Sequence, residues 1–207
     1  MQNILRILFH IFIVKPLLYI IIGYNVIGYK NLVINKQVII IANHNSHLDT
    51  LLLLNLFPLK QLQSIRPVAA SEYFLQNPII KFISTVCLNI LPISRVKFSK
   101  TNNPLRIMSE RIRENDSLII FPEGTRGNPE EMQRFKIGVG HLIRKFPDIL
   151  VQPIFVRGAG RNLPKGEVVL VPFFCDLVIG ESMKFTNKTK EEIVQELEAR
   201  FKSMQAL

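Results

Sequence analysis

Residues 38–49 constrain this chain more than any other stretch. Val38-Ile39-Ile40-Ile41-Ala42 is a continuous apolar run that ends directly in the polar cluster Asn43-His44-Asn45-Ser46-His47-Leu48-Asp49. A short apolar run closed by a polar turn reads as a strand buried on both faces, the kind found in parallel sheets covered by helices. The cluster then falls at the strand's C-terminal end, where open α/β sheets hold their ligands. Thr50-Leu51-Leu52-Leu53-Leu54 reads as the body of the next helix. Asn45 or Ser46 is its expected N-cap, because a side-chain oxygen there accepts an orphan N–H.

On one straight helix, residues five apart point about 140° away from each other. A turn ahead of the helix lets His44 and Asp49 meet. Asp49 then accepts the Nδ1–H of His44, fixes the tautomer and makes Nε2 the basic nitrogen. Histidine suits such work because its ordinary pKa, about 6.5, lies near working pH.

The pattern recurs at Ser117-Leu118-Ile119-Ile120, which runs into Phe121-Pro122-Glu123-Gly124-Thr125-Arg126-Gly127. Pro122 stops the strand and Gly124 admits backbone geometries that other residues resist. Exposed N–H groups and the Arg126 guanidinium make this an anion loop that can grip a phosphate. Glu123 is unusual there: it either pairs with Arg126 or accepts a hydrogen bond from a hydroxyl of the ligand.

Asn43-His44 with Ser46 and Asp49 resembles the first motif of the glycerolipid acyltransferases, the 1-acylglycerol-3-phosphate (lysophospholipid) acyltransferase family. Phe121 to Arg126 resembles that family's third motif without a mismatch. Leu91-Pro92-Ile93-Ser94-Arg95 resembles the second, with Ser94 where the family often carries an acidic or other polar residue. Val151-Gln152-Pro153-Ile154 resembles the fourth, a strand-ending proline. The resemblance implies an O-acyltransferase. Its donor would be acyl-CoA or acyl carrier protein, and its acceptor a lysophospholipid such as 1-acylglycerol-3-phosphate, giving phosphatidic acid. His44 and Asp49 would be catalytic, and Arg95, Glu123, Gly124, Thr125 and Arg126 would bind substrate, with backbone N–H groups near the helix start as an oxyanion hole. Related branches acylate other lysolipids or acceptors without phosphate; Ala69-Ala70 and Leu163-Pro164-Lys165-Gly166 resemble one of them. A non-enzymatic membrane-surface protein of the same fold is the alternative from another class, and the intact His44/Asp49 and Glu123/Arg126 pairs speak against it.

Ser46 beside a histidine is a candidate nucleophile. No Gly-x-Ser-x-Gly elbow exists, and an N-cap role accounts for it equally. His44-x-x-His47 suggests a metal pair, but no third ligand stands at useful spacing, and the resemblance implies neither metal nor cofactor. Arg157, Arg161 and Lys165 read as a solvated basic loop. Cys87 and Cys175 sit among apolar neighbours and read as buried thiols.

The N-terminal segment is almost wholly apolar from Ile4 to Ile22, interrupted by Lys15-Pro16. A lysine at the centre of a bilayer costs about 2.5–3.5 kcal/mol, and Pro16 is expected to kink or break a helix. Two short helices lying in one leaflet are therefore expected, ahead of a single span. With 48% hydrophobic residues and a net charge of +10, the chain suits an anionic membrane surface. Nucleic acid is disfavoured, since no reading motif accompanies the charge. The expected organisation is a membrane-associating segment at residues 1–24 and an α/β domain at 25–207. That domain has a largely parallel central sheet flanked by helices, at the cytoplasmic face of a membrane (the inner membrane if bacterial). Further strands are expected at Arg66–Ala70, Ile149–Val156 and Val168–Pro172. Further helices are expected at Leu75–Leu88, Pro104–Asn115, Phe135–Phe146 and Lys190–Met204, the last with a capping box at Thr189 and Glu192.

Overall fold

The computed structural model describes residues 1–74, 77–94, 103–127, 131–162 and 171–206. Its strands are β1 (Tyr24–Ile27), β2 (Val38–Ala42), β3 (Ile65–Ala70), β4 (Leu91–Ile93), β5 (Ser117–Ile120), β6 (Leu150–Arg157) and β7 (Cys175–Ile179). They form one seven-stranded sheet in the order β1-β7-β6-β2-β5-β3-β4. Every neighbouring pair is parallel except β6 and β7. The helices are α1 (Gln2–Phe9), α2 (Leu48–Asn55), α3 (Ser71–Phe74), α4 (Pro78–Phe82), α5 (Pro104–Arg113), α6 (Ile137–Lys145), α7 (Ala159–Asn162) and α8 (Lys190–Gln205).

Strand β2 lies between β6 and β5, and all five of its residues are buried. Successive side chains on a strand point to opposite faces. Accordingly Val38, Ile40 and Ala42 join one core with α2, whereas Ile39 and Ile41 join a second with α5, α6 and α8. The sheet is thus covered on both sides, as its unbroken apolar run requires. Helix α8 starts with the expected capping box, Thr189 and Glu192 each bonding the other's backbone N–H. Gly140 of α6 meets α8 closely: a Cβ there would stand 2.3 Å from the carbonyl of Lys190.

Three local expectations are corrected. Pro153 does not end a strand but sits inside β6. Its carbonyl accepts from Gly180, so its nitrogen also faces the side where the β6–β7 ladder has already stopped, at Ile154 and Ile179. The Gly180 carbonyl, which a backbone N–H at position 153 would have served, accepts instead from Nε2 of Gln152. The seventh strand is Cys175–Ile179, later than expected, because Asp176 interrupts its apolar pattern. Val171 and Pro172 are not in a strand, and residues 168–170 lie outside the described residues. Gly138 makes no close packing, since a Cβ there would meet nothing within 4 Å.

Pro16 does not break the N-terminal helix. Helix α1 continues through π-helical turns at His10–Val14 and Leu17–Ile22, and Pro16 itself is helical with φ −58°. A proline conflicts with the carbonyl four residues back; widening the turns to i→i+5 pairing relieves that conflict. The same widening aligns a buried stripe. Arg6, His10, Val14, Leu18 and Ile22 recur every fourth residue, and all are buried. A pure α-helix would rotate such a stripe by about 40° per step. The opposite face exposes Ile4, Phe12, Ile13, Tyr19, Ile20 and Ile21. As a whole, Gln2–Ile22 is long and apolar enough to cross a membrane, with a mean hydropathy of 2.1.

Arg6 ties this helix to the sheet. Its guanidinium donates to the Val86 carbonyl at 3.2 Å and to Oδ1 of Asn89 at 3.1 Å. The same Oδ1 accepts from Arg66 at 2.9 Å, and Arg66 is paired in turn with Asp116. Nδ2 of Asn89 donates to the carbonyls of Gln63 and Ile65 at 3.2 and 3.0 Å. One buried asparagine, at φ +56°, therefore joins the N-terminal helix, β3 and the entry to β4.

Candidate active site

At the end of β2 the ladder is continued by a side chain. The Asn43 carboxamide donates to the Val156 carbonyl at 2.8 Å and accepts from its N–H at 2.7 Å, as a peptide group of β2 would. The main chain is thereby released to turn. Across that turn His44 Nδ1 stands 3.0 Å from Asp49 Oδ2. The same oxygen accepts from the main-chain N–H groups of Asn45 and Ser46, both at 2.8 Å. A carboxylate oxygen only accepts, so Nδ1 carries the ring proton and Nε2 carries the lone pair of a neutral His44. The imidazole stacks on Phe121 with centroids 4.0 Å apart.

The helix start differs from expectation. Helix α2 begins at Leu48 with His47 in the capping position, and that residue's side chain makes no capping bond. Ser46 instead accepts from the Leu48 N–H through Oγ at 3.3 Å. It is fully buried, at 0% exposure, and does not line the cleft beside His44. The backbone donors expected to form an oxyanion hole are engaged within the turn: those of Asn45 and Ser46 serve Asp49, that of Leu48 serves Ser46, and that of His44 serves Glu123.

The loop after β5 grips His44 by its backbone. The His44 N–H donates to Glu123 Oε1 at 3.2 Å, and the His44 carbonyl accepts from Gly127 at 3.0 Å. Glu123 is buried, with no partner for Oε2 among the described residues. It does not line the cleft, so the expected contact with a ligand hydroxyl is replaced by a contact with the turn that carries His44. Burial raises its pKa to about 7; main-chain N–H groups of His44 and Gln133 pull it down, and the nearby Asp49 charge adds to the rise. Gly124 adopts φ +76°, a left-handed geometry that suits glycine.

His44, His47, Thr50, Phe121, Gly124, Thr125 and Arg126 face an open cleft of about 980 Å³, counting its mouth. Its other wall is apolar: Val68, Ala69 and Ala70 of β3, Ile90, Ile93 of β4, Met108 of α5 and Ile120. His47 is exposed along part of its surface, yet its pKa falls to about 4 through desolvation, then through the charges of Arg126 and His44. Of the residues singled out in the sequence, His44, Gly124, Thr125 and Arg126 share this cleft and Asp49 lies behind His44. Arg95 lies outside the described residues. The sequence reading did not pick out Phe121 as the support of His44, nor the apolar wall. The small pair Ala69-Ala70 at a strand end was the available signal for the latter.

An α/β sheet thus sets a histidine–aspartate pair at its C-terminal edge, beside a cleft with one apolar wall. The sequence model of the Acyltransferase family matches residues 23–157, more than half of the chain, and the chain belongs to that family. It is 28% identical over 143 residues to a chloroplastic 1-acyl-sn-glycerol-3-phosphate acyltransferase of Arabidopsis thaliana, covering 69% of this chain and 38% of the relative. A chloroplastic 1-acyl-sn-glycerol-3-phosphate acyltransferase of Brassica napus is 28% identical over 126 residues, covering 61% and 34%. The match thus spans little more than a third of these relatives' length. The crystal structure of the 1-acyl-sn-glycerophosphate acyltransferase of Thermotoga maritima superposes with a TM-score of 0.72 at 22% identity, covering 90% of this chain and 72% of that one. The fold is shared.

Proposed function

We propose that the chain moves a fatty acyl group from a thioester, acyl-CoA or acyl carrier protein, to the hydroxyl of 1-acylglycerol-3-phosphate, giving phosphatidic acid. The observation that carries this reading is the His44–Asp49 pair at 3.0 Å in a cleft flanked by Arg126. His44 Nε2 takes the proton of the acceptor hydroxyl as its oxygen attacks the thioester carbonyl. The tetrahedral adduct collapses, the C–S bond breaks, and the imidazolium returns its proton to the departing thiolate. Asp49 holds the ring and stabilises the imidazolium. Arg126, with the Gly124–Thr125 backbone and with Arg95 from the second motif, takes the acceptor's phosphate. Acyl chains lie along the wall from Val68 to Met108. The names of the two plant relatives support this acceptor.

The N-terminal helix, in the same reading, lies in one leaflet on the cytoplasmic side. Its buried stripe runs its whole length and its outer face is apolar, the pattern of a helix held flat between a domain and lipid. Full-length protein in mixed micelles, given one labelled acyl-CoA and a panel of lysophosphatidic acid, headgroup-bearing lysolipids and monoacylglycerol, tests the function by mass spectrometry. Preference for lysophosphatidic acid is expected. Equal rates on monoacylglycerol would remove the phosphate from the reading, and no transfer from folded protein to any acceptor would end it.

A further inference from the structure

Arg126 is not alone at the anion loop. The main-chain N–H of Lys136, just before α6, donates to the carbonyl of Pro122 at 2.9 Å, which pins the start of α6 beneath the loop. The Lys136 side chain then runs back across Gly124. A Cβ built on Gly124 would stand 2.7 Å from Nζ, 2.8 Å from Cε and 3.0 Å from Cδ of Lys136. Three consecutive atoms of the lysine therefore cover the α-carbon of a residue that lines the cleft. The absence of a side chain at 124 is what gives the lysine this path.

Among the described residues, no carboxylate forms an ion pair with Lys136 or Arg126. Glu123, the acid of the same loop, is turned inward to the backbone of His44. Arg126 follows Gly124 by two residues and the Lys136 side chain crosses it, so both cations belong to one short stretch of backbone. Arg126 offers a planar fork and Lys136 a mobile point charge; a dianionic phosphate monoester satisfies both.

We infer that Lys136 is a further phosphate-binding residue of this cleft, closing over the ligand's phosphate from the rim while Arg126 holds it from within. The inference rests on the proposed function, and it adds a residue that the sequence motifs did not point to. The phosphate is either that of the acceptor or one belonging to CoA.

The test uses full-length protein, intact and as Lys136→Ala and Lys136→Arg, with thermal unfolding as the check of folding. Two acceptors, lysophosphatidic acid and monoacylglycerol, are each paired with acyl-CoA and with an acyl-N-acetylcysteamine thioester, which has no phosphate. If the acceptor's phosphate is bound, Lys136→Ala lowers kcat/KM about five- to thirtyfold for lysophosphatidic acid with both donors. Monoacylglycerol is then unaffected and Lys136→Arg recovers most of the loss. If a CoA phosphate is bound, the loss follows acyl-CoA with either acceptor. Equal losses in all four combinations, or none, overturn the inference.

A second readout is independent of turnover: glycerol 3-phosphate, and separately CoA, should shield the Lys136 amine from an acylating reagent, read by peptide mass spectrometry. Protection without transfer to lysophosphatidic acid would keep the phosphate site and refute the proposed reaction. Transfer without protection by either ligand would do the reverse.

Discussion

Glu123 supports His44 through the main chain: its Oε1 accepts the His44 N–H at 3.2 Å, while Oε2 is buried without a partner among the described residues. The carboxyl of a motif that looks built for anions is thus a brace beneath the candidate base. Gly127 of the same loop holds the carbonyl of the same residue at 3.0 Å. The first and third motifs are therefore one mechanical unit.

This predicts a pH signature. The Glu123 pKa is raised by burial from the ordinary 4.5 to about 7, worth about 3 kcal/mol at 1.36 kcal/mol per decade. Between those two values the folded state binds a proton that the unfolded chain has released. Stability contributed by this group is thus intact below about pH 4.5, falls as pH rises and is lost above about 7. Glu123→Gln keeps the acceptor and removes the ionisation. Its melting temperature relative to the intact protein should climb between pH 5 and pH 8, with kcat largely retained. Glu123→Ala, which removes the acceptor, should lose activity at both. A pH-independent difference for the glutamine variant would refute this account.

Arg126 and His47 report on each other. Desolvation, then the Arg126 charge, then His44 depress the His47 pKa to about 4, so its contribution to stability is present above about pH 6.5 and lost as pH falls through 4. Arg126→Ala should raise the His47 pKa measurably in an NMR titration. The same variant should lose about ten- to a hundredfold in kcat/KM on lysophosphatidic acid, with much of it in KM. Monoacylglycerol turnover should barely change. An unmoved His47 titration would place Arg126 away from the cleft.

Much of this architecture was legible because burial writes itself into sequence. The short runs Val38–Ala42 and Ser117–Ile120, each closed by a polar turn, read as strands covered on both faces, and they placed the motifs that follow at one end of a sheet. The His44–Asp49 contact was legible too, because a turn before a helix is what brings that spacing together. Other features turn on contacts between distant residues. Asn43 completes a ladder with Val156, far away in sequence, and Glu123 turns inward because the His44 peptide needs an acceptor. Neither is encoded locally. Strand β7 escaped because Asp176 masks a short buried run, and Pro16 misled because wide helical turns accommodate it.

The two faces of the N-terminal helix should respond oppositely. Phe12 and Ile20 are 68% and 81% exposed, so Phe12→Asp with Ile20→Asp should release the protein from anionic vesicles in flotation without lowering its melting temperature. Arg6 is buried and donates to Val86 and Asn89. Arg6→Met should therefore cost about 1.5–3 kcal/mol and open the helix to limited proteolysis. Removing residues 1–23 would strip Val14, Leu18 and Ile22 from the core and is expected to give aggregated protein. A stable, soluble truncated domain would show that the helix is only an anchor.

Asp49→Asn offers the sharpest test of the dyad, because all three donors converge on a single oxygen. Oδ2 accepts from His44 Nδ1, from Asn45 and from Ser46, whereas Oδ1 is buried without a partner among the described residues. An asparagine must turn its carbonyl oxygen to the two main-chain donors, since its NH2 would repel them. That oxygen then also receives the His44 Nδ1–H, so the ring keeps its tautomer. In a serine protease triad the corresponding amide forces the wrong tautomer, and the rate falls about 10⁴-fold. Here the loss should come only from an imidazolium that lacks its counter-charge, about a hundred- to a thousandfold in kcat. The displaced NH2 sits where Oδ1 was, unsatisfied, and should cost about 1–3 kcal/mol of stability. Nitrogen-15 NMR of the His44 ring distinguishes the cases. A proton retained on Nδ1 in the variant supports the three-donor geometry; a proton moved to Nε2, with a fall near 10⁴, would show that the amide turns the other way and that the main-chain donors do not govern Asp49.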